Sequence, residues 1–262
     1  MPRFAANLSM LFTELPLPER FAAAARVGFD AVEVQFPYAM DPADMAHALQ
    51  DAGQRLVLHN LPAGDWAAGE RGMASDPQRK QAFREGLELA MEYSLALDCT
   101  QLNCLAGVLP RGLDPEEAWA TFRENLRYAA PRLAARGRRL LIEPINTQDM
   151  PGFLLCRSDT ALELIRTLEL ENLYLQFDAY HAHMMGEGWL TCLEAAGDRL
   201  AHVQIADAPG RAEPGTGAID FRSLFRWLDA AAYSGHVGCE YRPSRTTEQS
   251  LNWLRSYQSG ER

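Results

Sequence analysis

Short apolar runs rich in β-forming residues alternate along the chain with longer stretches in which apolar residues recur at helical spacing. The runs that suggest strands cover residues 3–10, 29–36, 55–61, 100–106, 138–145, 173–179, 200–207 and 236–241. The helix-like stretches between them cover residues 18–27, 42–52, 76–96, 114–136, 158–168, 189–196 and 219–232. Such alternation is typical of a parallel sheet covered by helices.

Eight strand-like runs are the number that a (β/α)8 barrel requires. No Pro-, Ser- or Gly-rich linker divides the chain into two parts. The alternative is a doubly wound open sheet, which would be expected to carry a glycine-rich phosphate loop after its first strand. No G-x-G-x-x-G sequence occurs. We therefore predict an α/β fold, a single (β/α)8 TIM barrel forming one domain over residues 1–262.

The carboxyl ends of the last four predicted strands carry oxygen-bearing side chains. Because side chains alternate along a strand, Glu143, Asp178, Gln204 and Glu240 should all point into the barrel. Three carboxylates and an amide on one rim would repel one another unless a cation lay among them, and such ligands suit Mg²⁺ or Mn²⁺. The alternative is four separately solvated residues. We favour a metal site because the four positions are equivalent.

Glu143 and Glu240 lie three strands apart, on the fifth and eighth runs, so they can flank a substrate from opposite sides. This arrangement suits removal of a proton on one side and its return on the other. Active sites of these barrels lie at the carboxyl ends of the strands. We therefore expect the two glutamates to be catalytic.

Four further candidates lie around the third predicted strand, and the first of them, His59, lies with Asn60 at the end of that strand. The loop after it, residues 61–72, contains Trp66 and the adjacent pair Glu70 and Arg71. It is either a lid over a small polar ligand or an exposed loop with Trp66 packed on a helix. In the first case these residues would contact substrate.

Two more candidates lie beyond the sixth and seventh predicted strands. His181 follows Asp178 by three residues and is placed to bond a substrate hydroxyl, although a lone histidine is more often structural. Arg211 lies in the loop after the seventh strand, where it could pair with an anionic substrate.

The charge balance limits the partners. Lys and Arg number 25 against 35 Asp and Glu, a formal net charge of −10. Such a surface repels phosphate backbones, so we expect no nucleic-acid partner. No apolar run approaches the roughly 18 residues of a membrane span. We therefore expect no membrane association. Residues 1–10 lack the apolar segment of a secretory signal, so no such signal is expected either.

Two residue types narrow the chemistry further. The five cysteines are odd in number and form no C-x-x-C pair, which favours a reducing cytoplasm over a disulfide framework. Lys80 is the only lysine and lies in a polar stretch that resembles a helix start. Schiff-base catalysis needs a lysine amine in the active site, so it is not expected here.

The chain resembles the hydroxypyruvate isomerase family within the xylose isomerase-like TIM barrel superfamily, nearly from end to end. The segments that carry the resemblance are residues 4–10, 59–72, 141–146, 204–207, 213–217 and 238–241. The loop motif HNLPAGDWAAGERG at 59–72 is highly specific. The strand-end motifs are shared more widely, with sugar epimerases of the superfamily.

The resemblance implies reversible interconversion of hydroxypyruvate and tartronate semialdehyde, so the expected partner is a small anionic hydroxy-oxo acid. It implies that Glu143 and Glu240 are the acid/base pair. In metal-dependent relatives these two also bind a divalent ion together with residues matching Asp178 and Gln204. Many members carry a histidine where Gln204 stands, and an amide is a weaker ligand.

Several alternatives stay open from the sequence. The 2-oxo-tetronate isomerase subgroup is similar over residues 1–10, but its third loop differs from residues 59–72, which favours the three-carbon substrate. A phosphodiester-cleaving repair enzyme uses the same barrel but would need a basic face and a histidine-rich zinc cluster. A non-catalytic sugar-acid binding protein is also compatible, as are a monomer and a homo-oligomer.

Overall fold

Eight parallel strands close into one barrel in a computed structural model that describes residues 2–259. Each strand pairs with the next in the chain, and the last pairs with the first. The strands are β1 (Arg3–Asn7), β2 (Ala31–Glu33), β3 (Arg55–Asn60), β4 (Gln101–Cys104), β5 (Arg139–Ile142), β6 (Leu173–Asp178), β7 (Leu200–Ile205) and β8 (His236–Cys239). The predicted (β/α)8 TIM barrel is confirmed.

Helices connect the strands and cover the outside of the barrel. They are α1 (Leu17–Arg26), α2 (Pro42–Ala52), α3 (Lys80–Ala96), α4 (Pro115–Ala134), α5 (Ser158–Leu168), α6 (Ala179–Met184), α7 (Trp189–Ala196), α8 (Phe221–Ala230), α9 (Thr247–Ser250) and α10 (Asn252–Ser259). Short 3₁₀ turns cover Pro37–Ala39, Pro77–Arg79 and Gly197–Arg199. None of the helices described is long and apolar enough to cross a membrane.

The observed strands are shorter than the predicted runs, mostly at their carboxyl ends. The residues there leave the hydrogen-bonded ladder to form the loops that carry the polar side chains. The sequence reading also missed three helices, α6, α9 and α10. The first of these has six residues and starts directly after β6, where the Asp178 carboxylate accepts from the backbone N–H of Tyr180. Fewer than two turns give no helical periodicity to detect.

The main core lies between the barrel and its helices. Outward-facing strand residues such as Phe177, Val203 and Val237 are fully buried there. A second cluster fills the inside of the barrel earlier along the strands, and it consists mostly of small residues: Ala5, Ala31, Val57, Leu58, Leu141 and Ala201. Burying each larger apolar side chain contributes about 1.5–3 kcal/mol. Because this cluster fills the interior, the cavity lies at the carboxyl ends of the strands.

The loop after β3 packs against the loop after β4 through two glycines. A Cβ on Gly72 (φ +129°) would lie 2.7 Å from the carbonyl oxygen of Leu105 and 2.8 Å from the Cα of Gly107. A Cβ on Gly107 (φ +96°) would lie 2.6 Å from the carbonyl oxygen of Gly72. Both positions therefore need glycine, for backbone conformation and for space.

We expect Gly72→Ala to destabilise the protein more than Gly112→Ala. Both glycines have positive φ, but a Cβ on Gly112 would meet open space. The control should therefore lose only about 1 kcal/mol from backbone strain. Gly72→Ala should lose at least twice as much, because two backbone segments must also move apart. Urea unfolding followed by circular dichroism measures both, and equal losses would show that the two loops separate at no cost.

Candidate functional site

A cavity of about 300 Å³ opens at the carboxyl ends of the strands. Charged and polar residues dominate its lining. The lining includes Asn7, Glu33, Gln35, His59, Trp66, Glu143, Gln176, His181, Gln204, Arg211, Glu240 and Arg242. Position and composition together mark it as the candidate active site.

The two predicted catalytic glutamates both line this cavity. Glu143 follows β5 and Glu240 follows β8, and both are buried. The Asn103 side-chain N–H donates to Oε2 of Glu143 over 2.8 Å. The Gln35 amide donates to Oε1 of Glu240. Each glutamate is thus held by an amide from another strand or loop.

Arg211 is the cation among the buried carboxylates. Its Nη2 lies 3.0 Å from Oε1 of Glu240 and 3.4 Å from Oδ2 of Asp178. Glu143 is close enough to interact electrostatically with this guanidinium as well. One positive charge therefore faces three carboxyl groups, an imbalance that favours either protonation of a carboxyl or a further cation.

Burial and mutual repulsion raise the pKa values of these carboxyl groups. Burial, the largest cause, raises the pKa of Glu240 to about 8 despite the opposing charge of Arg211, and Asp178 and Glu33 add to the rise. Burial also raises the pKa of Glu143 well above its usual range, with Glu240 and Asp178 contributing. Without another cation, the site therefore holds a carboxyl proton near neutral pH, as general acid catalysis requires.

A group that could hold a metal ion consists of Glu143, Asp178 and His181. One ligand atom of each lies within 4.8 Å of the others, and all three residues are buried. The donors are mainly carboxylate oxygens in a site with excess negative charge, so they fit a hard divalent cation.

Gln204 was predicted to be the fourth metal ligand, but both ends of its amide have protein partners. Its Nε2 donates to Oε1 of Glu33 over 2.7 Å, and its Oε1 accepts from Nε2 of Gln176 over 2.6 Å. The structure therefore joins Gln204 to Glu33 and Gln176 through hydrogen bonds that use both ends of its amide. Its assignment as a ligand stays a prediction.

His59 and His181 both lie in the cavity wall and are fully buried. His59 Nε2 has no hydrogen-bond partner among the described residues, so it is free to bond a ligand. Burial lowers the pKa of His59 to about 4. Burial and the charge of Arg211 lower the pKa of His181 well below its usual value. Both rings are therefore neutral at neutral pH.

The loop at 61–72 brings Trp66 to the cavity but turns Glu70 and Arg71 away from it. Trp66 is 38% exposed and packs on Phe36, with ring centroids 5.2 Å apart. The Arg71 guanidinium lies 4.2 Å from the centre of the Trp66 ring and donates to the carbonyls of Trp66 and Glu70.

The Glu70 side chain also contacts its own loop and not the cavity. Its carboxylate accepts from the backbone N–H of Asp65 and pairs with Arg79. Neither Glu70 nor Arg71 lines the cavity. Their expected contact with substrate is therefore not supported by their placement, because the charges are used to hold the loop in shape.

Glu33 is the main residue that the sequence reading missed. It ends β2, is 1% exposed, and accepts three hydrogen bonds: from Asn7 Nδ2 over 2.8 Å, from Gln204 Nε2 over 2.7 Å and from His202 Nε2 over 2.7 Å. A charged residue within an otherwise apolar run was the available signal. Arg242 was also missed; it lines the cavity two residues beyond Glu240.

Asp207 holds the loop that carries Arg211. Its buried carboxylate accepts from the backbone N–H groups of Gly215 and Gly217 over 2.8 Å, and also from those of Ala208 and Ile219. Arg211 itself has φ +55°, a backbone conformation that residues other than glycine seldom adopt. The four bonds to Asp207 therefore help to keep the guanidinium over the carboxylates.

Comparisons with known proteins agree with the barrel fold. A family model described as "Xylose isomerase-like TIM barrel" matches residues 21–257. The chain is 48% identical to a hydroxypyruvate isomerase of Escherichia coli over 98% of this chain and 100% of that one. It is 42% identical to a 2-oxo-tetronate isomerase of Cupriavidus necator over 98% and 99%. A crystal structure named AP endonuclease, family 2, from Brucella melitensis superposes with a TM-score of 0.95 at 44% identity, covering 98% and 99%.

We expect Asp207→Ala to loosen the loop at 208–219 and displace Arg211, because four backbone N–H groups lose their acceptor. Hydrogen exchange of Gly215 and Gly217 should accelerate by roughly 10-fold or more, as expected when about 1.4 kcal/mol of local stability is lost. Asp220→Ala is the control, since it removes only the carboxylate that caps α8. Unchanged exchange in the Asp207 variant would show that the loop is held by other contacts.

Proposed function

The chain belongs to the xylose isomerase-like TIM barrel family, and we propose that it interconverts hydroxypyruvate and tartronate semialdehyde. The observation that carries this proposal is the pair of buried glutamates, Glu143 and Glu240, which share one small cavity with the Arg211 guanidinium. The 48% identity to a hydroxypyruvate isomerase over nearly the whole chain supports the same substrate.

The proposed reaction moves one proton between neighbouring carbons. The hydrogens on C3 of hydroxypyruvate are weakly acidic, because the carbanion conjugates with the C2 carbonyl. One glutamate removes a C3 proton to give an enediolate, and an acid on the other side returns a proton to C2. The O3 proton passes to O2, which leaves an aldehyde at C3 and a hydroxyl group at C2 of tartronate semialdehyde. The raised pKa of Glu240 suits a group that holds a proton and then releases it.

Protein groups around the cavity are proposed to orient the substrate. The unpartnered Nε2 of His59 and the ring of His181 would bond its oxygens, and Trp66 would cover the mouth. The substrate carboxylate would lie near Arg211 and Arg242, the two guanidinium groups of the lining. Glu70 and Arg71 would act indirectly, by shaping the loop that carries Trp66.

The proposed cofactor is Mg²⁺ or Mn²⁺. Glu143, Asp178 and Glu240 would hold it, with Gln204 as the weakest of the predicted ligands. When bound, the ion would supply positive charge opposite the oxyanion that develops at O2 of the substrate. All five cysteines are free thiols, and we propose a cytoplasmic location on that basis.

A second candidate substrate is a four-carbon 2-oxo-tetronate, because a relative with that activity in its name is 42% identical. The cavity contains the same acid/base pair for either substrate. Phosphodiester cleavage is not proposed, although one similar structure carries the name of an endonuclease. The lining contains two histidines, His59 and His181, and the group suited to a metal includes one of them.

We expect Glu240→Gln to lower turnover of hydroxypyruvate by about 100- to 10,000-fold, because the amide cannot exchange a proton. Substrate binding, measured by calorimetry, should change little, since the amide oxygen can still accept from Arg211. Glu248→Gln, an exposed glutamate on α9, is the control and should leave turnover unchanged. Turnover that persists in the Glu240 variant would refute the role of this residue.

A coupled assay with hydroxypyruvate and a panel of 2-oxo-tetronates tests the substrate. Hydroxypyruvate should give the highest kcat/KM, and a preference for any tetronate would overturn the three-carbon assignment.

Treatment with EDTA should lower the rate, and Mg²⁺ or Mn²⁺ should restore it. A rate that EDTA leaves unchanged would overturn the cofactor proposal.

In deuterated water, the product should acquire deuterium at C2 through the enediolate. If the substrate instead carries a hydrogen isotope on C3, complete retention of that isotope in the product would indicate a direct hydride shift. The isotope experiment therefore decides between the two routes independently of the substrate panel.

A further inference from the structure

We propose that Asn146 is a positioning residue that fixes the tautomer of His181, so that the ring carries its hydrogen on Nε2 and donates it towards the substrate. Asn146 lies in the loop after β5, three residues beyond Glu143, and is fully buried.

The orientation of the Asn146 amide is fixed by the backbone. Its Oδ1 accepts from the N–H of Gln148 over 3.0 Å and from the N–H of Asp149 over 2.8 Å. A backbone N–H can only donate, so the atom that receives both bonds must be the oxygen. The amide nitrogen therefore points the other way, where it lies 2.7 Å from Nδ1 of His181 and 3.1 Å from Oδ2 of Asp149.

An amide nitrogen can only donate, so Nδ1 of His181 must accept and carries no hydrogen. The backbone N–H of Asn146 lies 3.5 Å from the same nitrogen and also points a donor at it. A neutral imidazole carries one hydrogen, which must then be on Nε2. Oδ2 of Asp178 lies 3.7 Å from Nε2, which is beyond hydrogen-bond distance, so this oxygen does not take up the hydrogen.

One contact favours the opposite tautomer, and its geometry is weaker. Nη1 of Arg211 lies 3.3 Å from Nε2 of His181 and would donate to a bare nitrogen. Both ring nitrogens cannot accept at once in a neutral ring. The Asn146 contact is shorter by 0.6 Å (2.7 against 3.3 Å), and its donor has a fixed orientation. Arg211 also has Glu240 and Asp178 as acceptors.

The tautomer decides what His181 can do in the cavity. A histidine that binds a metal usually donates its other N–H to an acceptor, whereas the other nitrogen of His181 faces a donor. His181 is therefore set up to donate a hydrogen bond from Nε2, and metal binding falls to the carboxylates beside it. The identity of the receiving oxygen rests on the proposed function, but the tautomer itself does not.

The test is the ¹⁵N chemical shift of the two ring nitrogens in protein labelled with ¹⁵N-histidine. Loss of one set of signals in His181→Gln assigns the resonance. We expect wild-type His181 to show a protonated Nε2 and a bare Nδ1 at neutral pH. A hydrogen on Nδ1, or on both nitrogens, would overturn the proposal. This measurement needs no substitution at Asn146.

Asn146→Asp replaces the donor that faces Nδ1 of His181 with an acceptor. The aspartate keeps an oxygen for the N–H groups of Gln148 and Asp149, but it presents an acceptor to Nδ1. We expect the hydrogen of His181 to move to Nδ1, and kcat/KM to fall by about 10- to 100-fold, as is typical for residues that orient a site residue. A ring that keeps Nε2–H in this variant would overturn the proposal.

Asn172→Asp is the matched control. The Asn172 amide donates to the carbonyls of Ala130 and Arg138, away from the cavity, so its loss should leave the His181 shifts unchanged. If wild-type protein shows Nε2–H but does not convert hydroxypyruvate, the proposed function fails and the tautomer assignment stands. The two proposals can therefore fail separately.

Discussion

The carboxylate of Glu33, buried inside the barrel, is the constraint on which the polar interior depends. It accepts from side chains on β1 and β7, and Gly238 on β8 leaves the space that it occupies, since a Cβ there would overlap its oxygens. A buried carboxylate is costly unless its lone pairs are satisfied, and here three donors converge on it. Because it fixes Gln204, it also sets the floor of the cavity beneath Glu143 and Glu240.

Above that floor the site is short of positive charge. Arg211 comes from a loop and not from a strand, and it depends on Asp207 for its position. The barrel thus supplies the acids and the loop supplies the cation that balances them. The pKa values of Glu143 and Glu240 stay raised although a guanidinium lies beside them. The reason is that the burial of both carboxyl groups outweighs the attraction to one shared positive charge.

The alternation of side chains in β5 and β8 was enough to predict that Glu143 and Glu240 point into the barrel, because a strand has only two faces. Loop side chains have no such restriction. Glu70 and Arg71 were therefore expected in the cavity, whereas they pair with groups of their own loop and with Arg79. Glu33 was overlooked because its three donors come from strands far apart in sequence.

The contact between Gly72 and Gly107 has a consequence for redesign. The two loops meet backbone to backbone, so their bases form one joint unit that a graft must move together. Transplanting the segment at 61–72 from a relative with another substrate would work only if the recipient also offers a glycine at the matching place after β4. Trp66, at the tip of the loop, rests on the ring of Phe36, so a substitution there leaves the paired glycines unchanged.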